Sequence, residues 1–105
     1  MNFSDLKLTR EYLNAIDDLG YSEPSPIQIK AIPMILAGQE VIGIAQTGTG
    51  KTAAYLLPLL QTIKYPQGND PRCLILVPTK ELVLQVVQNI EELSSYTELR
   101  SFGIY

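Results

Sequence analysis

Apolar positions recur along the chain with two different periods, and each period predicts a different kind of element. Spacings of three and four residues, which place apolar side chains on one helical face, occupy four stretches. These stretches predict helices at residues 4–19, 26–37, 51–64 and 78–95. Two uninterrupted apolar runs, V-I-G-I-A at 41–45 and C-L-I-L-V at 73–77, predict strands buried on both faces. The last residues, R-S-F-G-I-Y, predict the start of a third strand.

Residues that start and stop helices support these bounds. Ser4 or Thr9 can cap the first helix, and Gly20 can end it in the left-handed conformation. Ser25 precedes the second helix as an N-cap. Pro26 suits the first helical position because the N–H that proline lacks is not needed there.

The order of these elements predicts the fold class. Strands that alternate with helices and are apolar throughout indicate an α/β fold with a parallel sheet and helices on both faces. We expect residues 1–38 to form a helical region and residues 39–105 to form the strand–helix units. Because the third strand would comprise only the final residues, we expect an incomplete sheet, the N-terminal portion of a larger fold.

Composition and charge narrow the functional classes. The chain has 105 residues, 46% of them apolar and 18% charged, as expected for one small globular domain. The net charge of −3 excludes nucleic-acid binding through a broad cationic surface. With no histidine and one cysteine, Cys73, the sequence excludes an internal disulfide, a Cys/His metal site and a histidine-based catalytic triad. No apolar run approaches the ~20 residues that span a bilayer. No signal peptide is recognisable either, so we expect a cytoplasmic location without membrane contact.

The stretch A-Q-T-G-T-G-K-T at residues 45–52 carries the clearest chemical signal. It lies between a predicted strand and a predicted helix, the context of a phosphate-binding loop, although alanine replaces the first glycine of the usual G-x-x-x-x-G-K-[ST] pattern. Gly48 and Gly50 let successive backbone N–H groups point at phosphate oxygens, at a helix N-terminus that already favours negative charge. Lys51 would bring a positive charge to the β- and γ-phosphates, and Thr52 would offer its hydroxyl to Mg²⁺.

This loop predicts binding of a nucleoside triphosphate with Mg²⁺, but it does not identify the base. The candidate contacts are Gln46, Thr47, Gly48, Thr49, Gly50, Lys51 and Thr52.

Two further segments, together with this loop, point to a family. Phe3 followed by G-Y-S-E-P-S-P-I-Q resembles the Q motif of the DEAD-box ATP-dependent RNA helicases of superfamily 2. The loop resembles their motif I, and P-T-K-E-L with Gln85 resembles their motif Ia. The three motifs occur in the family's order and cover most of residues 3–85. The resemblance implies the N-terminal part of the first RecA-like domain. It also implies ATP and Mg²⁺ as cofactors, and single-stranded or duplex RNA as the partner of the full-length protein.

The resemblance to the Q motif assigns roles at the base. Gln28 would read the adenine edge through its side-chain amide, which offers both a donor and an acceptor. Tyr21 and Phe3 would pack against or near the base.

The resemblance to motif Ia implies an RNA contact by Pro78, Thr79 and Lys80. These residues follow a predicted strand, at the carboxyl end where ligands bind in open α/β sheets. The family usually has arginine where Lys80 stands, and lysine keeps the charge but loses the bidentate fork. Val83 replaces a residue that is usually a small alanine.

Groups that would complete hydrolysis are not found in the sequence. In the family, the acidic residue that helps to hold Mg²⁺ and the group that orients the attacking water come from a D-E-A-D segment downstream of motif Ia. No such segment occurs here. We therefore expect the parent protein to couple ATP binding and hydrolysis to RNA duplex unwinding, and the chain alone to be inactive.

Two alternatives stay open, and the oligomeric state is not predicted. The chain could belong to another P-loop NTPase, such as a superfamily 2 DNA helicase or a kinase-like enzyme. Adenine selectivity would argue against that alternative. It could also be a truncated, non-enzymatic interaction module, which its size and dispersity in solution would test.

Overall fold

Helices dominate the structure, a computed structural model that describes residues 1–44, 50–63 and 72–105. A 3-10 helix spans Phe3–Leu6. The α-helices are α1 (Arg10–Asp18), α2 (Pro26–Leu36), α3 (Lys51–Thr62) and α4 (Lys80–Leu93). The last three confirm the corresponding predicted helices, with bounds that differ by a few residues. No helix in the described ranges is long and apolar enough to cross a membrane.

The first predicted helix is wrong in one respect, because residues 4–19 form two elements rather than one. The backbone turns at Lys7, whose φ of 64° lies in the left-handed region, between the 3-10 helix and α1. A continuous helix would point Leu6 and Leu8 to nearly opposite sides. The turn buries both of them instead. Thr9 then takes an extended conformation at the N-cap of α1, as predicted.

The predicted ends of α1 and α2 are confirmed. Ser25 is the N-cap of α2, and Pro26 is its first residue. Gly20 follows α1 with a φ of +79°, and Gly38 follows α2 with a φ of +82°. Both values lie in the left-handed region that favours glycine.

The core is built around α3, which packs chiefly against α2 and also contacts α4. Its buried residues are Ala53, Ala54, Leu56, Leu57, Pro58 and Leu60. The rest of the core consists of Leu8, which precedes α1, and of residues from the other helices, namely Phe3, Leu6, Tyr12, Ile16, Ile32 and Leu93. At the surface, the Tyr96 hydroxyl, just after α4, donates a hydrogen bond to the Asp18 carboxylate at the end of α1. The α2 helix thus provides the main packing surface for α3, and α1 contacts α4.

The predicted strands are not shown in the part of the chain that the structure describes. Residues 41–44, 72–77 and 98–105 lie outside helices and form no strand pairing there. Alternate residues of these segments nevertheless face the helices. A Cβ at Gly43 would lie 3.3 Å from the Ile27 side chain of α2, and Ile75 packs against the core cluster.

The prediction that the apolar runs are buried on both faces is also wrong. Four of their side chains, and two more of the final segment, are 80–93% exposed and form what we term the outer apolar face. These are Ile42, Ile44, Leu74, Leu76, Phe102 and Ile104. Because the described helices pack against one side of these segments, the side chains that alternate toward the other side have no cover.

Val83 meets a glycine across the molecule. A Cβ at Gly103 would lie only 2.8 Å from Val83 Cγ1, so the valine occupies the space that this glycine leaves open. The two positions are therefore complementary in size.

Candidate nucleotide site

A cavity of about 800 Å³ opens where the 3-10 helix and the α1–α2 connection meet the start of α3 and the side of α4. Six residues predicted from the sequence line it together. They are Phe3, Tyr21, Gln28, Gly50, Lys51 and Thr52. The structure thus places the residues expected at a base beside those expected at phosphates. Gln46, Thr47, Gly48 and Thr49 lie outside the described residues.

The Gln28 carboxamide is held in one orientation by two hydrogen bonds. The side chain belongs to the first turn of α2 and is only 5% exposed. Its Oε1 accepts from the backbone N–H of Ser25 at 2.9 Å, and its Nε2 donates to the carbonyl oxygen of Gly50 at 3.2 Å. These partners determine which end of the amide carries the oxygen. The second lone pair on Oε1 and the second N–H on Nε2 are not used by these bonds, so both stay available to a ligand.

Gly50 meets this amide without a side chain. It is the N-cap of α3, with a φ of +83°. A Cβ at this position would lie 2.3 Å from Gln28 Nε2. Only glycine therefore combines the left-handed backbone with the close approach of Gln28.

Lys51 and Thr52 form the first turn of α3 and are half-buried at the cavity. The unpaired N–H groups and the dipole of this helix end favour an anion there. Among the described residues that line the cavity, Lys51 is the one cation, and Glu23 and Glu92 are the acids. The positive charge of the cavity lining therefore lies at the N-terminus of α3.

The oxygen ligands at this end fit Mg²⁺. Thr52 supplies a hydroxyl oxygen, and magnesium in nucleotide sites is typically held by few protein groups together with phosphate oxygens and water. Across residues 1–44, 50–63 and 72–105, no group of three or more His, Cys, Asp or Glu side chains is arranged to hold a metal ion.

Phe3 and Tyr21 stack at the other end of the cavity. Their ring centroids are 6.4 Å apart, with 29° between the ring planes. Phe3 is 5% exposed, whereas Tyr21 is 42% exposed. Phe3 is thus a buried support, and Tyr21 presents the accessible aromatic surface.

Three motif Ia residues, Pro78, Thr79 and Lys80, do not line this cavity and lie at the start of α4. Thr79 is the N-cap, and its Oγ1 accepts a hydrogen bond from the Leu82 N–H at 3.2 Å. Its hydroxyl proton is still available as a donor. The Lys80 ammonium lies 4.7 Å from the centroid of the Tyr105 ring, a cation–π contact. Pro78, Thr79 and Lys80 are therefore grouped at a second place on the surface.

Sequence reasoning did not assign two polar residues of α4 that also line the cavity, Gln85 and Asn89. Gln85 was named only as part of the resemblance to motif Ia, without a role at the nucleotide. The signal that could have found them is their spacing, because residues four apart lie on one face of a helix.

Comparison with known proteins shows a match over most of the chain. The model of the DEAD/DEAH box helicase family matches residues 25–105. The ATP-dependent RNA helicase DeaD of Escherichia coli K12 is 49% identical over 94 residues, which are 90% of this chain and 15% of that protein. The ATP-dependent RNA helicase SrmB of the same strain is 49% identical over 100 residues, 92% of this chain and 22% of that protein. The chain thus spans between about a seventh and a quarter of the length of these relatives.

Solved structures of similar proteins have the same fold. The RNA helicase Prp28 from Chaetomium thermophilum, bound to ADP, is 40% identical with a TM-score of 0.85, over 99% of this chain and 27% of that one. Dbp5 of S. cerevisiae, bound to RNA and ADP BeF3, is 34% identical with a TM-score of 0.85, over 92% of this chain and 25% of that one.

Proposed function

Because the chain belongs to the DEAD/DEAH box helicase family, we propose that it is the ATP-binding portion of an ATP-dependent RNA helicase. The full-length protein would couple ATP binding and hydrolysis to the unwinding of RNA duplexes. The relatives' names, ATP-dependent RNA helicases, support this proposal.

The observation that carries the proposal is the hydrogen bond from Gln28 to Gly50 within one cavity. It joins the end that would hold adenine to the end that would hold phosphates. Gln28 would present its remaining N–H and lone pair to the adenine edge, beside the exposed ring of Tyr21. Lys51 and the loop that ends at Gly50, which includes residues 46–49, would bind the triphosphate. The helical region 1–38 thus supplies the base end, and the segment from 39 onward supplies the phosphate end.

The bound Mg²⁺ would neutralise charge on the β- and γ-phosphates, with Thr52 as a ligand. Hydrolysis further needs an acidic group and a group that orients water. We found no D-E-A-D segment among the 105 residues, so we propose that this chain binds ATP without turning it over.

The RNA contact is proposed at the start of α4. The Thr79 hydroxyl and the first-turn N–H groups of α4 are suited to a phosphate oxygen, and the charge of Lys80 lies beside them. The RNA-bound structure of Dbp5 supports this class of partner. From the sequence we also propose a cytoplasmic location.

A parallel sheet is proposed for the full-length protein. The three extended segments each turn alternate residues toward the helices, as strands of one sheet do. Their pairing would place the phosphate loop and motif Ia at the carboxyl edge of that sheet.

Substitution of Lys51 tests nucleotide binding directly. We expect Lys51→Ala to weaken Mg²⁺-dependent ADP binding at least about tenfold, because a charge-assisted hydrogen bond contributes about 1.5–3 kcal/mol. Isothermal titration calorimetry measures the change, with Lys30→Ala, an exposed lysine of α2, as the matched control. Equal ADP affinity in the wild type and Lys51→Ala would refute the assignment. ATP turnover by the wild-type chain that disappears in Lys51→Ala would refute the proposed inactivity.

A further inference from the structure

One side chain at the end of α3 holds the turn that leads back to Phe3. Gln61 lies in the last turn of α3 and is half-buried. Its Oε1 accepts a hydrogen bond from the Thr9 N–H at 2.8 Å, and its Nε2 donates to the Lys7 carbonyl oxygen at 3.0 Å. One carboxamide therefore satisfies both a donor and an acceptor of the segment between the 3-10 helix and α1.

This segment has a conformation that local sequence does not favour. Side chains other than that of glycine disfavour a left-handed backbone, and Lys7 adopts it with a φ of 64°. The two hydrogen bonds of Gln61 lie on either side of Leu8, across the turn. They stabilise the turn by contacts from another part of the chain.

The Lys7 turn also determines the position of Phe3, the buried aromatic residue at the cavity. Leu6 and Leu8, on either side of Lys7, are 2% and 7% exposed and anchor the turn in the core. Phe3 begins the same four-residue 3-10 helix that ends at Leu6. A shift of the turn therefore moves Phe3 relative to the Tyr21 ring that it supports.

We propose that Gln61 is a positioning residue of the nucleotide site. Its carboxamide fixes the Lys7 turn, the turn fixes Phe3 against Tyr21, and Tyr21 forms the wall at the base end. This inference rests on the proposed function, because it requires a base beside Tyr21. It implies an effect on base binding alone, since Lys51 lies ten residues earlier in the same helix, about 15 Å away by helical rise.

The test compares a ligand that has a base with one that has none. We expect Gln61→Leu to weaken ADP binding at least about threefold and to leave the affinity for inorganic tripolyphosphate unchanged, both measured with Mg²⁺. Gln39→Leu, a change at an exposed glutamine after α2, is the matched control and should alter neither affinity.

A double-mutant cycle links Gln61 to Phe3. If Gln61 acts through Phe3, Phe3→Leu should weaken ADP binding, and adding Gln61→Leu should weaken it little further. Fully additive losses would overturn the proposal. Equal weakening of ADP and tripolyphosphate by Gln61→Leu, or no weakening of ADP, would overturn it as well.

A ligand-free measurement separates this inference from the proposed function. The nuclear Overhauser effect between the Phe3 and Tyr21 rings should weaken in Gln61→Leu and persist in Gln39→Leu. If Gln61→Leu does not fold, Gln61→Glu takes its place in the test. It keeps the acceptor for Thr9 but loses the donor to Lys7, so the nuclear Overhauser effect between the two rings should be intermediate. A wild type that binds ADP no better than tripolyphosphate contradicts the proposed function itself. An unchanged ring contact in a folded Gln61 variant contradicts the role of Gln61.

Discussion

At the scale of single residues, the role proposed for Gln28 relies on a carboxamide that the fold holds in one orientation. Ordering a glutamine side chain costs up to about 1.5–2 kcal/mol of conformational entropy. Burial and the bonds to Ser25 and Gly50 meet that cost on folding rather than on binding. The same side chain links α2 to the start of α3, and so links the proposed base end of the cavity to the proposed phosphate end.

The link between Gln28 and the start of α3 can be tested by adding one methyl group at Gly50. We expect Gly50→Ala to reduce ADP affinity strongly, because the new Cβ would lie 2.3 Å from Gln28 Nε2 and displace the amide. Gly20→Ala is the matched control, since Gly20 has a similar φ of +79° but no atom within 4 Å of an added Cβ. Both variants should lose about 1 kcal/mol of stability from backbone strain, measured by urea unfolding. ADP binding should fall in Gly50→Ala alone, and equal ADP affinity in the two variants would contradict this link.

At the scale of elements, the sequence predicted a helix start or end correctly where the contacts that determine it are close in the sequence. The start of α2 is specified within four residues, from the Ser25 cap and Pro26 to the Gln28 side chain that reaches back to Ser25. The break at Lys7 carries a hydrogen bond from Gln61, which is 54 positions away in the sequence. The apolar periodicity of residues 4–19 does not depend on that distant contact, so it predicted one helix where there are two elements.

The packing of α1 predicts a pH dependence. Burial, with a smaller contribution from the charge of Glu11, raises the pKa of Tyr12 to about 12, and an unfolded tyrosine titrates near 10. Stability from the neutral phenol is therefore complete below about pH 10 and is lost as the pH rises toward about 12, at most about 2–3 kcal/mol. Urea unfolding at pH 8 and pH 11 should show a smaller loss in Tyr12→Phe than in the wild type. Tyr105→Phe, at an exposed tyrosine, is the control, and an identical loss in all three proteins would rule the explanation out.

At the scale of the whole molecule, the outer apolar face distinguishes this chain from a closed domain. Monomeric proteins rarely expose apolar patches above about 300–600 Å². Here six large apolar side chains are 80–93% exposed on three segments. The predicted burial on both faces holds on the side where Ile75 packs against the core cluster and fails on the outer apolar face.

This face predicts self-association of the isolated chain. We expect sedimentation velocity to show mass above the monomer at high concentration, because association removes apolar surface from water. Leu74→Lys with Phe102→Lys should shift the distribution toward monomer with little loss of stability, since both side chains are exposed. Gln39→Lys with Gln88→Lys adds the same charge at other exposed positions, and an equal shift in that control would assign the effect to net charge instead.

The candidate site was predictable to the extent that its residues belong to one local motif. The A-Q-T-G-T-G-K-T stretch indicated the roles of Lys51 and Thr52 by itself, through the context of a loop before a helix. The Gln28 bond to Gly50 spans 22 positions, and the cavity wall from α4 depends on helix packing. Neither has a local signature, so sequence reasoning named the residues without the contacts that organise them.

The most direct test of adenine-nucleotide binding is competition between ADP and GDP in the presence of Mg²⁺. Because Gln28 is already oriented to offer one donor and one acceptor, we expect the wild-type chain to bind ADP at least about tenfold more tightly than GDP. Gln28→Ala should lose that preference while retaining Mg²⁺-dependent binding of both nucleotides through Lys51. Equal affinities of the wild type for ADP and GDP, or an undiminished preference in Gln28→Ala, would contradict the claim.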